Sequence, residues 1–158
     1  MAQVLVTAEV AAPADEIWKL VGRFDRLGEW HPLVAHCDAR SGNKGAVRRS
    51  RLVDGGTIED RLEHLSDEER VCLYSVVSSP LPVANWVAEI RIRERPDGIS
   101  CIEWSCNFTP LRAREIDAVK AIQDLYQSGL DGLQRLYGGA PTARIVRATV
   151  APCDEASS

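Results

Sequence analysis

An aspartate stands where an alternating strand needs an apolar residue. In Gly56-Thr57-Ile58-Glu59-Asp60-Arg61-Leu62-Glu63-His64, one face reads Ile58, Asp60, Leu62, His64, and the other Thr57, Glu59, Arg61, Glu63. Side chains two apart in a strand share a face, so Asp60 points at whatever Ile58 and Leu62 cover. A charge there is costly unless paired or neutralised. The upstream run Ala46-Val47-Arg48-Arg49-Ser50-Arg51-Leu52 places Arg48, Ser50 and Leu52 on one face. A hairpin joining the two strands brings Arg48 and Asp60 into one interior. Such a pair is either structural or a working site. In a working site Asp60 is the acid–base group, and Arg48 holds an oxygen against developing negative charge. Desolvation raises the carboxyl pKa and Arg48 lowers it, so the resting state is not readable from sequence.

Few other side chains carry chemistry. His31, in Trp30-His31-Pro32, has the natural acid–base group for neutral pH, yet an elbow before a proline suits it as a loop hydrogen-bonding group. His64 shares the Asp60 face and is expected at the rim. Tyr74 shares a face with Cys72 and Val76, and its hydroxyl needs a partner if buried. Trp86, Trp104 and Phe108 lie on strands, where aromatics serve as core or as ligand contacts. Cys106 is expected inward beside Trp104, and Cys101 outward. The five cysteines are scattered, and no His, Cys and acid set has zinc-site spacing. No metal and no cofactor is expected. No serine stands in a nucleophile elbow, and no glycine loop cradles phosphate.

The elements that must position these groups are legible. The chain has 158 residues, 45% hydrophobic and 27% charged, with a net charge of −4. That is the balance of one soluble globular domain. It offers no basic face for nucleic acid and no apolar run of membrane-spanning length. No signal-peptide pattern opens it, so it is read as cytoplasmic with reduced thiols. A first strand over 4–10 leads into a helix opened by Pro13, Asp15 and Glu16. A short second helix over 24–32 ends at Pro32. Strands follow near 33–38, 47–53, 57–65, 71–77, 85–93 and 100–109, separated by Gly, Pro, Asn, Asp and Ser turn signals. Residues 111–137 read as one long helix, with Ile116, Val119, Ile122, Tyr126, Leu130, Leu133 and Tyr137 at helical spacing. Gly129 and Gly132 weaken it but let another surface approach closely. The order describes an α+β domain over 1–139. Residues 140–158 form a C-terminal extension in which 143–150 could add an edge strand.

Several ordered motifs carry a family pattern: Ala12-Pro13-Ala14-Asp15-Glu16-Ile17-Trp18, Trp30-His31-Pro32, Gly45-Ala46-Val47-Arg48, Asp60-Arg61-Leu62-Glu63, Leu81-Pro82-Val83-Ala84-Asn85-Trp86 and Trp104-Ser105-Cys106-Asn107-Phe108. Through them the chain resembles the START-like, Bet v 1-like superfamily, most closely its polyketide cyclase/dehydrase branch. The resemblance implies a helix-grip fold, in which a curved seven-stranded antiparallel sheet wraps the long C-terminal helix. It also implies a cavity for small, mostly apolar molecules. Plant abscisic-acid receptors are similar through the acid-Arg-Leu-Glu strand and two loops that close over the hormone, matching Asp54-Gly55-Gly56 and Ser79-Pro80-Leu81-Pro82. Lachrymatory factor synthase is similar through strands whose catalytic Arg, Glu and Tyr fall on Arg48, Asp60 and Trp86. Asp is shorter than Glu, and Trp has no phenolic proton.

The leading expectation is binding of a small hydrophobic molecule between sheet and helix. A cavity of roughly 300–1,000 Å³ is the usual size for such a site. The expected contacts are Trp30, His31, Arg48, Asp60, Tyr74, Pro82, Trp86, Trp104, Phe108 and Tyr126. One alternative is a cofactor-independent cyclase, dehydratase or isomerase using Asp60 and Arg48. Another is a partner-binding module gated by its two loops. A homodimer is left open.

Overall fold

The computed structural model describes residues 1–139 and the backbone course of 144–147. Strand β1 (Ala2–Val10) is followed by helix α1 (Ala14–Val21) and a 3₁₀ segment (Phe24–Glu29). Then come β2 (Val34–Ala39), β3 (Val47–Leu52), β4 (Thr57–Ser66), β5 (Val71–Ser78), β6 (Val83–Glu94), β7 (Ser100–Pro110), helix α2 (Glu115–Tyr137) and β8 (Arg144–Arg147). The strands form one antiparallel sheet in the order β2-β3-β4-β5-β6-β7-β1-β8. The seven expected strands are present, and the eighth is the edge strand that the 143–150 run allowed. The other residues of the 140–158 extension lie outside the described residues.

Alternation builds the interior. Val4, Val6, Ala8 and Val10 of β1 are buried, as are Ala88, Ile90 and Ile92 of β6 and Ile102, Trp104, Cys106 and Phe108 of β7. Helix α2 covers them with Ala118, Val119, Ile122, Tyr126, Leu130 and Leu133. These recur every three or four residues, the stripe a helix buries on one face. The helix begins at Glu115, not at 111. Leu111 is tied to the start of β6 by its N–H on the Pro82 carbonyl (2.9 Å). Arg112 has φ +56°, a conformation no helix continues through. The expected second helix is a kinked 3₁₀ turn, with Arg26 out of helical geometry.

Gly129 and Gly132 set the distance between α2 and the Trp30-His31-Pro32 elbow. A Cβ on Gly129 would stand 2.7 Å from His31 and Trp104, and one on Gly132 would stand 2.2 Å from the Trp30 carbonyl oxygen. The close approach expected at these glycines is therefore made by the elbow itself.

Two bulges change which side chains face inward. One lies between Ala84 and Val87 of β6, where Asn85 has φ +53°. Asparagine tolerates that left-handed conformation better than most residues. The extra residue shifts the phase, so Val83 and Trp86, three apart, are both buried. The second bulge lies between Leu62 and His64 of β4. It removes His64 from the Asp60 face and leaves it exposed.

Candidate functional site

Arg48 and Asp60 share the interior, as alternation predicts, and stand directly opposite each other across the β3–β4 ladder. Both are buried, at 6% and 2% exposure. Arg48 Nε and Nη2 donate to the same oxygen, Asp60 Oδ2, at 3.0 and 2.6 Å. Arg48 Nη1 donates to the Phe24 carbonyl at 3.1 Å. The guanidinium carbon also lies over two rings, 4.2 Å from the Phe24 ring centre and 5.0 Å from that of Tyr74. Such cation–π contacts gain strength where water is excluded. Arg48 is thus held by one carboxylate, one carbonyl and two rings. Three of its five N–H groups are engaged within the protein.

Asp60 is different. Its second oxygen, Oδ1, is buried without a hydrogen-bond partner. Burial pushes the Asp60 pKa up, against the opposing pull of Arg48. Burial also works against the Arg48 charge, but Asp60 and Tyr74 facing it carry its pKa upward.

Around this pair lies a cavity of about 20 Å³ walled by apolar side chains that include Leu27, Val34, Leu52, Ile58, Val76 and Leu125. That volume admits one water-sized group. It is well short of the 300–1,000 Å³ expected, because the surrounding aromatics fill the space between sheet and helix. His31, Arg48, Asp60, Tyr74, Trp86 and Trp104 line it. Trp30, Pro82, Phe108 and Tyr126 do not. Phe108 and Tyr126 are fully buried core residues, and Trp30 packs at 5.6 Å against Trp104 from the elbow side. Pro82 is half-buried, its carbonyl engaged by Leu111.

The remaining polar atoms near the cavity have protein partners. Trp104 Nε1 donates to Tyr74 Oη at 2.9 Å, so the phenol's expected partner is an indole. Trp86 Nε1 donates to Tyr126 Oη at 3.0 Å. Tyr126 stacks on Trp104 with ring centres 4.2 Å apart and 8° between planes. His31 is engaged at both nitrogens. The Leu33 N–H donates to Nδ1 at 3.2 Å, which leaves Nε2 to donate to the Leu125 carbonyl at 2.8 Å. Burial lowers its pKa to about 4, so the ring is neutral and pins the elbow to α2. Burial raises the Cys72 and Cys106 thiols to about 11, far from nucleophilic thiolates. Cys106 is buried with Trp104 as expected, and Cys101, expected on the outer face, is buried as well. Among the described residues no group of three or more His, Cys, Asp or Glu could hold a metal ion.

Leu52 and Ile58, which line the cavity, flank the Asp54-Gly55-Gly56 turn. Asp54 Oδ1 accepts the Gly56 N–H at 3.0 Å, and Ser79 Oγ accepts the Leu81 N–H at 3.2 Å. A Cβ on Gly56 would lie 3.0 Å from Pro80 Cγ. The two loops singled out in the sequence are in contact.

Sequence reasoning missed the apolar wall from Leu27, Val34, Val76 and Leu125. It also missed Phe24, which closes over Arg48. The apolar inward positions of β4 and β5 were the available signal for Ile58 and Val76. None existed for the Phe24 carbonyl, whose position depends on the 3₁₀ turn.

Comparison with known proteins places this geometry in context. Residues 1–138 match the model of a family described as polyketide cyclase / dehydrase and lipid transport. The abscisic acid receptor PYL2 of Arabidopsis thaliana is 30% identical over 95 residues, covering 57% of this chain and 50% of the receptor. PYL7 of the same plant is 27% identical over 96 residues, covering 58% and 46%. The chain thus spans about half the length of these curated relatives. The solved structure of XoxI from Bacillus cereus superposes with a TM-score of 0.82 at 32% identity, covering 87% of this chain and 96% of that one. An uncharacterised Bacillus thuringiensis protein does so with a TM-score of 0.81, also at 32% identity, covering 85% and 98%.

Proposed function

The chain belongs to the polyketide cyclase / dehydrase and lipid transport family, of the START-like, Bet v 1-like superfamily, and we propose that it binds a small, mainly apolar molecule between the sheet and α2. The observation that carries this reading is the buried oxygen without a protein partner on Asp60, a residue that lines an apolar-walled cavity. Protein interiors rarely leave a buried acceptor unmade, because the desolvation cost is about 1–3 kcal/mol or more for a charged group. A ligand group would supply the missing bond. The similar receptors are named for a small organic hormone, which agrees with this class of cargo. A ligand larger than one water must part the Gly56–Pro80 contact and move side chains such as Leu52 and Val76.

Native mass spectrometry of the freshly purified protein tests the reading. The expected result is an added mass that is lost on denaturation, or gained on incubation with small apolar alcohols or lipids. A protein that takes up no such molecule, with unchanged backbone amide resonances on β3–β5, would overturn it.

Proton-transfer chemistry at Asp60 is the second reading, favoured by the same open oxygen. Its neighbours limit it. Arg48 already gives three hydrogen bonds, two to Asp60 and one to the Phe24 carbonyl, and Trp86 offers an indole already bonded to Tyr126. Equal turnover of a verified substrate by wild type and Asp60→Asn would remove this reading and leave binding intact.

A further inference from the structure

The polarity of the interior goes further than the existence of a site, and it narrows what the site accepts. Asp60 Oδ2 already takes two Arg48 donors, and arginine keeps its proton in proteins. Contacts of 2.6 and 3.0 Å are those of a charge-assisted pair. The pair is therefore electrically balanced, and Oδ1 is left as an acceptor. Tyr74 Oη already accepts the Trp104 indole, so its own hydrogen is left to donate. The cavity of about 20 Å³ matches a single hydroxyl in size.

We propose, building on the small-molecule reading above, that this cavity is a seat for a neutral hydrogen-bond donor: the hydroxyl head of an otherwise apolar alcohol or phenol, donating to Asp60 Oδ1. Three other head groups fit the charges poorly. A carboxylate would bring its lone pairs and a second negative charge against Oδ1, in an apolar cup where Asp60 already balances Arg48. An ammonium would add a second positive charge beside Arg48 in an apolar cup, where an unbalanced charge is strongly disfavoured. A methyl group would cover Oδ1 without giving it a partner. A site built around a buried acceptor rejects the analogue lacking the donor more strongly than a greasy pocket rejects a lost methylene.

The experiment uses the full chain and four probes of one shape: benzyl alcohol, ethylbenzene, benzylamine and benzoate. Affinities come from amide shifts in nitrogen–proton spectra. Benzyl alcohol is expected to bind at least about tenfold more tightly than any of the other three, the size of effect a hydrogen bond to a charged group gives. In wild type, benzyl alcohol should also move the carbon-13 shift of Asp60 Cγ, and ethylbenzene should not. Asp60→Asn should erase most of the preference for alcohol over ethylbenzene. The Asp60 Cγ measurement needs no variant and decides the matter if Asp60→Asn folds poorly. Ethylbenzene or benzoate binding as well as the alcohol would overturn the donor seat and leave the small-molecule reading standing. So would an Asp60 Cγ shift typical of a neutral carboxyl. Failure of all four probes to bind would overturn both.

Discussion

The interior has two halves, and they differ in one respect. Near α2, Trp86, Trp104, Tyr126 and His31 form a lock in which each indole N–H and each imidazole nitrogen has a protein partner. Under β3–β5, Arg48 holds Asp60 and the Phe24 carbonyl, but Asp60 keeps one oxygen unsatisfied. Rings and hydrogen bonds in the first half define a single packing and hold the elbow against the helix. The second half carries a local cost that packing alone does not explain. Buried polar networks in folded proteins are usually satisfied throughout, so the half that is not satisfied is where a ligand has something to gain.

The largest effect that tests this contrast is removal of Arg48. Arg48→Ala leaves the Asp60 carboxylate buried without its counter-charge, which costs about 3–5 kcal/mol. Urea denaturation should show the midpoint falling accordingly, and a loss under about 1 kcal/mol would mean that water reaches Asp60 freely.

A smaller effect is expected from pH at the lock. The His31 pKa is about 4 in the folded protein against 6.5 for the free side chain. Between these values the unfolded chain binds the proton more readily, so stability is lost as pH falls from 6.5 towards 4. The linkage relation puts the His31 share at roughly 3 kcal/mol across that window. Asp60 contributes with opposite sign, since its raised pKa favours proton uptake by the folded state above the ordinary carboxyl range. His31→Gln should flatten the acid-side slope in thermal melts taken at stepped pH. An unchanged slope would show that the ring titrates in contact with solvent.

The smallest effect sets the two halves side by side. Tyr126→Phe strands the Trp86 indole N–H in packed core, at about 2 kcal/mol for an unsatisfied buried donor. Tyr74→Phe strands the Trp104 N–H beside the cavity, where a water can take the lost oxygen's place, and about 1 kcal/mol or less is expected. Calorimetric melts of the two variants give the comparison directly. Equal losses would erase the distinction between a sealed half and an open one.

How far the sequence carried depends on what each feature rests on. The shared interior of Arg48 and Asp60 rests on the two-residue strand period and was legible, whereas their direct pairing depends on the register of the β3–β4 hairpin. The close approach at Gly129 and Gly132 was legible because only a missing Cβ allows it. The ordered motifs spoke for the fold. Trp86 was placed inward, but not for the reason that holds. Asn85 in a left-handed conformation shifts the strand's phase there, and such a bulge is chosen by the sheet as a whole. His64 was misplaced by the same kind of event one hairpin earlier. The cavity's size was illegible for another reason. It is a small remainder between close-packed side chains, and shifts of a few tenths of an ångström among Trp86, Trp104 and Tyr126 decide it.

The contact between Gly56 and Pro80 has a consequence in time rather than in energy. On the proposed binding reading, with these loops at the entrance and room inside for about one water, a larger guest would wait for the loops to separate. Its arrival is then timed by the loops and not by diffusion. The observed association rate should level off as concentration rises, at the rate of loop opening. The same closure lowers apparent affinity by the fraction of molecules that are open and lengthens the stay of whatever has been admitted. A protein gated in that way would be slow to load and slow to release, the behaviour of a carrier or a latch more than of a rapid exchanger.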